Sequence, residues 1–77
     1  MIIKNKSNQQ LTFTQVLAGK DLVLSEGQIS PNIVPNKRLL DMLVRNRDKV
    51  IVSTSNSTEL EMILDLDDRM QDQLILE

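Results

Sequence analysis

Apolar and polar positions change period several times along the chain, and each change predicts an element. The most regular stretch runs from Pro35 to Ser55. Pro35 restricts Ile33 and Val34 to extended geometry, and Asn36 carries the side chain of a helix N-cap. Leu39, Leu40, Leu43 and Val44 then recur on one stripe of a 3.6-residue period. Lys37, Arg38, Asp41, Arg45 and Arg47 occupy the rest of that surface. Asn46 is suited to a left-handed conformation at the helix stop. Val50-Ile51-Val52 is too short and too β-branched to be helical. A short helix feeding directly into a strand is therefore expected. Apolar at three successive positions, that strand is expected at the centre of a sheet with both faces covered.

Upstream the period is two. Met1 to Lys6 begins as a strand, Ser7-Asn8-Gln9 reads as a turn, and Gln10 to Leu17 alternates. Leu11, Phe13 and Gln15 are expected on one face, Thr12, Thr14 and Val16 on the other. Two runs joined by a polar turn predict an antiparallel pair. Ala18 to Asp21 is a second turn, and Leu22-Val23-Leu24 a third short strand. Gly27 is the natural positive-φ position of the turn Ser25–Gln28. Ile29 to Val34, interrupted by Pro31 and closed by Pro35, is expected to lay Ile29 and Ile33 over a sheet edge.

Downstream, the polar run Ser53 to Thr58 marks a boundary. Asn56 followed by Glu59 fits a capping box, and a helix is expected from there to about Asp72. Leu60, Ile63, Leu66 (or Leu64), Met70 and Leu74 would line one side of it, with acidic residues on the other. Leu74, Ile75 and Leu76 close the chain as a candidate strand or an anchor for another subunit. These seven residues form the candidate partner-contact set. The expected class is α+β: a small antiparallel sheet of three or four short strands packed with one short helix, over residues 1–55. A longer acidic amphipathic helix follows over residues 56–77, either within the same domain or as a docking extension.

Composition narrows the function. Phe13 is the only aromatic residue in the 77, so the core must be aliphatic. Rings bury roughly 150–250 Å² each, and without them a marginal body steadied by neighbours is expected. Cysteine and histidine are both missing, which excludes thiolate and imidazole metal sites and the nucleophiles or bases built from them. Lys4 follows Met1-Ile2-Ile3 with no apolar run behind it, so no signal peptide is expected. No stretch approaches the ~20 apolar residues of a membrane span. The net charge of −2 conceals an asymmetry: residues 1–56 sum to +4 and residues 57–77 to −6. Such a layout suits head-to-tail pairing or two different partners.

Asp65, Asp67, Asp68 and Asp72 lack the carbonyls and glycine turn of a calcium loop and read as a solvated or partner-facing surface. No catalytic pair, cofactor motif or small-molecule site is expected. Lys37, Arg38, Arg45 and Arg47 form a candidate basic surface. With no interleaved aromatics they suit protein contact better than nucleic acid.

The opening Ile3-Lys4-Asn5-Lys6-Ser7 through Leu11 fits the pattern I-x-N-x-S-x-x-x-L. Gly19, Leu22, Leu24 and Glu26-Gly27 follow as a turn, a short strand and a second turn. Leu39 to Leu43 and Lys49-Val50-Ile51-Val52 supply a short helix feeding a strand. Over residues 2–53 this order resembles small virion structural proteins of tailed bacteriophages. The resemblance implies a multi-copy accessory part of head, connector or tail, made in the host bacterial cytoplasm and residing in the virion. Its partners would be other copies of itself and other structural proteins, with no catalysis. A second expectation comes from Gly27-Gln28-Ile29-Ser30-Pro31, which resembles the turn of swapped-hairpin regulators. It implies a small dimeric DNA-binding or antitoxin-like regulator with an acidic partner-binding C-terminal helix.

Overall fold

The computed structural model describes residues 1–77. In chain order the elements are β1 (Ile2–Asn5), β2 (Leu11–Leu17), β3 (Lys20–Leu24), α1 (Lys37–Arg45), β4 (Val50–Thr54), α2 (Ser57–Leu66) and β5 (Leu74–Leu76). Turns of 3₁₀ helix at Arg47–Lys49 and Asp68–Gln73 complete the path. The class is α+β, as the pattern predicts. The strands divide into two sheets rather than one. β4 lies between β1, to which it is antiparallel, and β5, to which it is parallel. β2 and β3 form a separate antiparallel hairpin. The central position expected for the Val50 strand is correct, and Val50 and Val52 are completely buried.

The expected pairing of the first two strands does not occur, because both edges of β1 are taken. On one side lies β4. On the other, the segment after Gly27 runs alongside as an irregular fourth ribbon. Gly27 N–H donates to the Asn5 carbonyl at 2.9 Å, Asn5 N–H to Gln28 at 3.0 Å, and Ser30 N–H to Ile3 at 2.7 Å. The Ser30 hydroxyl accepts the Ile3 N–H at 2.8 Å. Ile33 is buried over this edge as expected, while Ile29 faces solvent. At the far end the Met1 ammonium donates to Asn32 Oδ1 at 2.8 Å and to the Ile33 carbonyl at 2.7 Å.

Asn5 turns the chain out of the first sheet. Its Oδ1 accepts from the Ser7 N–H at 2.9 Å and the Ser7 hydroxyl at 2.7 Å, the local Asx arrangement that competes with a continuing strand. Its Nδ2 group, with no exposure to solvent, reaches the carbonyls of Gln9 (2.7 Å), Leu24 (3.0 Å) and Ser25 (3.2 Å). One side chain thus binds β1 to both ends of the hairpin.

The alternation in β2 breaks after Phe13. Leu11 and Phe13 point inward, but Gln15 takes φ +57° and the register slips between Phe13 and Leu17. That bulge sends Gln15 to solvent, where its N–H is taken by Asp21 Oδ1 at 3.0 Å. Val16 turns into the core instead, reversing its expected face. Ala18 (φ +50°) and Gly19 (φ +80°) make the hairpin turn. Both central residues are left-handed, as the right-handed twist of a tight hairpin requires.

Asn36 caps α1 as expected, accepting the Leu39 N–H at 2.8 Å, and the helix buries Leu39, Leu40 and Leu43. Asn46 does not go left-handed; at φ −109°, ψ 25° it continues into the 3₁₀ turn. Its Nδ2 donates to the Met42 carbonyl at 2.8 Å, the same carbonyl that its backbone N–H reaches at 3.1 Å.

The second half corrects the longest expectation. α2 stops at Leu66, not near Asp72, because Asp67 is extended (φ −156°, ψ 108°) and caps the next turn through the Arg69 N–H. The 3₁₀ segment buries Met70 and returns the chain so that Leu74, Ile75 and Leu76 pair with Val52, Ser53 and Thr54. Residues 56–77 are therefore no free-standing helix. With β4 they form a β–α–β crossover, and Ile63 and Met70 join the same cluster of 15 buried residues as Phe13 and Leu39.

Two stability measurements follow. Asn5→Ala leaves buried carbonyls without donors and is expected to cost about 3 kcal/mol in denaturant unfolding; a loss under ~1 kcal/mol would show that water replaces the amide. Ala18→Gly relieves a left-handed alanine and is expected to raise stability by ~1 kcal/mol, read as a higher midpoint with an unchanged slope.

Candidate docking surface

The C-terminal candidates separate according to burial. Ile63 and Met70 are wholly inside the chain's own core and have nothing left to offer a partner. Leu60 and Leu74 are half-buried. Leu66, Ile75 and Leu76 stay open to solvent. The reason is the end of α2: a helix continued to Asp72 would have aligned Leu66 with Met70, and the extended Asp67 breaks that alignment. Ile75 and Leu76 lie on a strand whose outer edge has no neighbour. They are part of the sheet, so their removal would disturb β4 as well as any contact.

A larger apolar feature lies between the helices, which pack against each other. α2 has room for only one fully buried side chain, Ile63. Met62 and Leu66, one helical turn apart, fall on the flank of that face, 44% and 49% exposed. Opposite them α1 presents Leu40, buried at the base, with Lys37 above it. Pro35 closes one end and Asp65 stands on the α2 rim. Together they bound an open hollow of about 480 Å³. Beyond Pro35 the trough continues into a second hollow of about 410 Å³ along Val34 and Thr58. Val34, held extended before Pro35, is 87% exposed. The result is an apolar seam with a basic helix on one side and an acidic helix on the other.

The basic set does not gather into one patch. Lys37 stands at the seam. Arg38 and Arg45, seven residues apart and so on one face of α1, are exposed with Asp41 between them. Arg47 lies beyond the helix, 3.8 Å from the buried carboxylate of Asp67. Asp67 is also held by Arg69, which donates from Nε to Oδ1 and from Nη2 to Oδ2, both at 2.9 Å. The Arg69 side chain, then its backbone N–H, holds the Asp67 carboxyl below the usual carboxylate range against the opposing effect of burial; the charges of Arg69 and Arg47 act the same way. Asp67 thus pins the acidic half of the chain to its basic half.

Of the acidic candidates, Asp65 belongs to the seam, and Asp68 and Asp72 face solvent. No three acidic side chains converge as a metal cluster would require, and no helix is long and apolar enough to cross a membrane. Val34 and the role of Met62 were not visible as site features in the sequence. The signal for Met62 is its spacing from Leu66 beside Ile63, which gives α2 a second stripe about a quarter turn from the first; Val34, a single apolar residue before Pro35, carries no periodic signal.

No family model, curated protein or solved structure matches the chain.

Asp67 supplies the pH dependence. Its folded pKa lies below its unfolded value, so its contribution is complete above about pH 4 and is lost as pH falls through the folded value. Asp67→Asn should melt below the parent at pH 7, with the gap narrowing below about pH 4; a gap constant down to pH 2 would assign its role to capping alone.

Proposed function

We propose that this chain is a non-enzymatic assembly protein, a multi-copy accessory component of a tailed-phage virion that works through protein–protein contacts. The observation that carries this reading is the seam itself. Val34, Met62 and Leu66 leave large aliphatic surface in water on a domain whose core holds a single ring. Contiguous exposed apolar surface on a small domain marks a contact site, and covering it adds the stability that an aliphatic core of this size lacks. The pattern over residues 2–53 supplies the setting, a particle in which neighbours hold each small part in place. Copies of the chain and other structural proteins are its partners, and the virion is its destination after synthesis in the bacterial cytoplasm.

The DNA-binding or antitoxin-like alternative draws on the basic residues, and their placement favours it less. Arg47 is turned toward Asp67, and Asp41 interrupts the Arg38–Arg45 face. A duplex-binding stripe needs several cations following the phosphates together.

Two measurements test the proposal. Mass spectrometry of particles purified from cells carrying the gene should find the chain at several copies per particle, and its confinement to the particle-free lysate would overturn the virion assignment. Sedimentation with duplex DNA at about 50 and 200 mM salt should show no salt-sensitive complex, whereas a complex lost at the higher salt would favour the regulator.

A further inference from the structure

We infer that the α1–α2 seam pairs two copies of this chain about a two-fold axis running along the seam. This rests on the multi-copy reading and specifies its contact. The two helices carry opposite charge, α1 a net +2 and α2 a net −3. Although they lie side by side, no ion pair joins them: the three in the molecule are Met1–Glu59, Arg47–Asp67 and Arg69–Asp67. Lys37, Arg38, Arg45, Glu61 and Asp65 are therefore unpaired within the chain and exposed. Of these, Lys37 and Asp65 border the apolar strip, one on each side, while Arg38 and Arg45 lie round the far side of α1.

Symmetry decides how a second copy fits. A two-fold axis across the seam would set α1 over α1 and α2 over α2, placing like charges face to face. An axis along the seam sets α1 of one copy over α2 of the other. Lys37 of each then faces Asp65 of its mate, twice over, while Met62, Leu66 and Val34 of both copies share one apolar strip. Asp41 is the one acidic residue among the cations of α1, and it lies beside Lys37 rather than on the strip. The surface is self-complementary only in this orientation, which is the condition for an isologous dimer.

Size sets the strength. A standard interface takes ~800 Å² from each partner, about a sixth of the 4790 Å² that this chain exposes. The largest face of the molecule is 26 × 26 Å, so the pairing belongs at the small, reversible end, with a dissociation constant on the order of micromolar.

Charge reversal tests the pairing on the full chain. Analytical ultracentrifugation from roughly 1 µM to 1 mM should show a reversible dimer that weakens with added salt. Lys37→Glu and Asp65→Lys each put two like-charge contacts in the homodimer and should weaken it about tenfold or more. Mixing the two variants should restore association, because in the mixed dimer both contacts are again between opposite charges. Circular dichroism checks that each variant is folded, and both positions are exposed. If the parent self-associates but neither reversal matters, or if the mixture fails to recover, the seam pairing is wrong while the multi-copy reading stands. A parent that stays monomeric throughout the range overturns the pairing, and the composition of purified particles then decides the multi-copy reading separately.

Discussion

The two sheets share no strand, and the tie that fixes one against the other is a single buried carboxamide. Asn5 gives both amide hydrogens to carbonyls at the two ends of the hairpin and takes two hydrogen bonds from Ser7 on its oxygen. Aliphatic side chains bring elements together without specifying their angle, since the hydrophobic effect has no direction. An amide with no exposure must have its partners placed, because a buried polar group left unpaired costs about 1–3 kcal/mol. The orientation of the hairpin over β1 is therefore set by this one side chain together with the backbone pairs that join Asn5 to Gly27 and Gln28 just past the hairpin.

The other buried polar side chains sit at junctions of the same kind. Ser30 receives the Ile3 N–H where the irregular ribbon meets β1. The Thr54 hydroxyl accepts the Asn56 N–H at 3.0 Å and donates to Glu59 at 2.9 Å, completing the expected capping box through an intermediary at the strand-to-helix corner. Asp67 ends α2 and starts the return to the sheet. The apolar residues supply the bulk of the driving force, and four short polar side chains specify where the chain turns. In a domain with one ring in its core, that division of labour leaves little redundancy.

Much of this was legible in the sequence. The α1 stripe, its Asn36 cap and the central Val50 strand are short-range patterns, and short-range patterns are what periodicity records. The misjudged places involve partners distant in the chain. Nothing near Ser7 says that β1 will be flanked by β4 and by residues 28–33, so β2 was expected beside it. Gln15 and Val16 exchange faces because of a bulge that the alternation conceals. The helix expected to reach Asp72 ends at an aspartate whose capping depends on Arg69 and Arg47, while the apolar spacing around it reads as continuous. Of the contact candidates, Leu66 survives because it is exposed, and Ile63 and Met70 do not because the core needed them. The seam depends on the packing of α1 against α2, which no local pattern encodes.

The neighbours of β4 carry one more implication. β1 begins opposite Ser53 and β5 ends opposite Thr54, so the first and last residues flank the same end of a single strand, two inter-strand spacings or roughly 10 Å apart. Chain enters and leaves the domain at nearly one point. A few glycines could join those ends and new ones be opened at the Ala18-Gly19 hairpin tip, with the Met1 nitrogen, as an amide, still able to donate one of its two hydrogen bonds. By the same geometry the whole unit can be grafted into a surface loop of a larger protein without prising that loop apart.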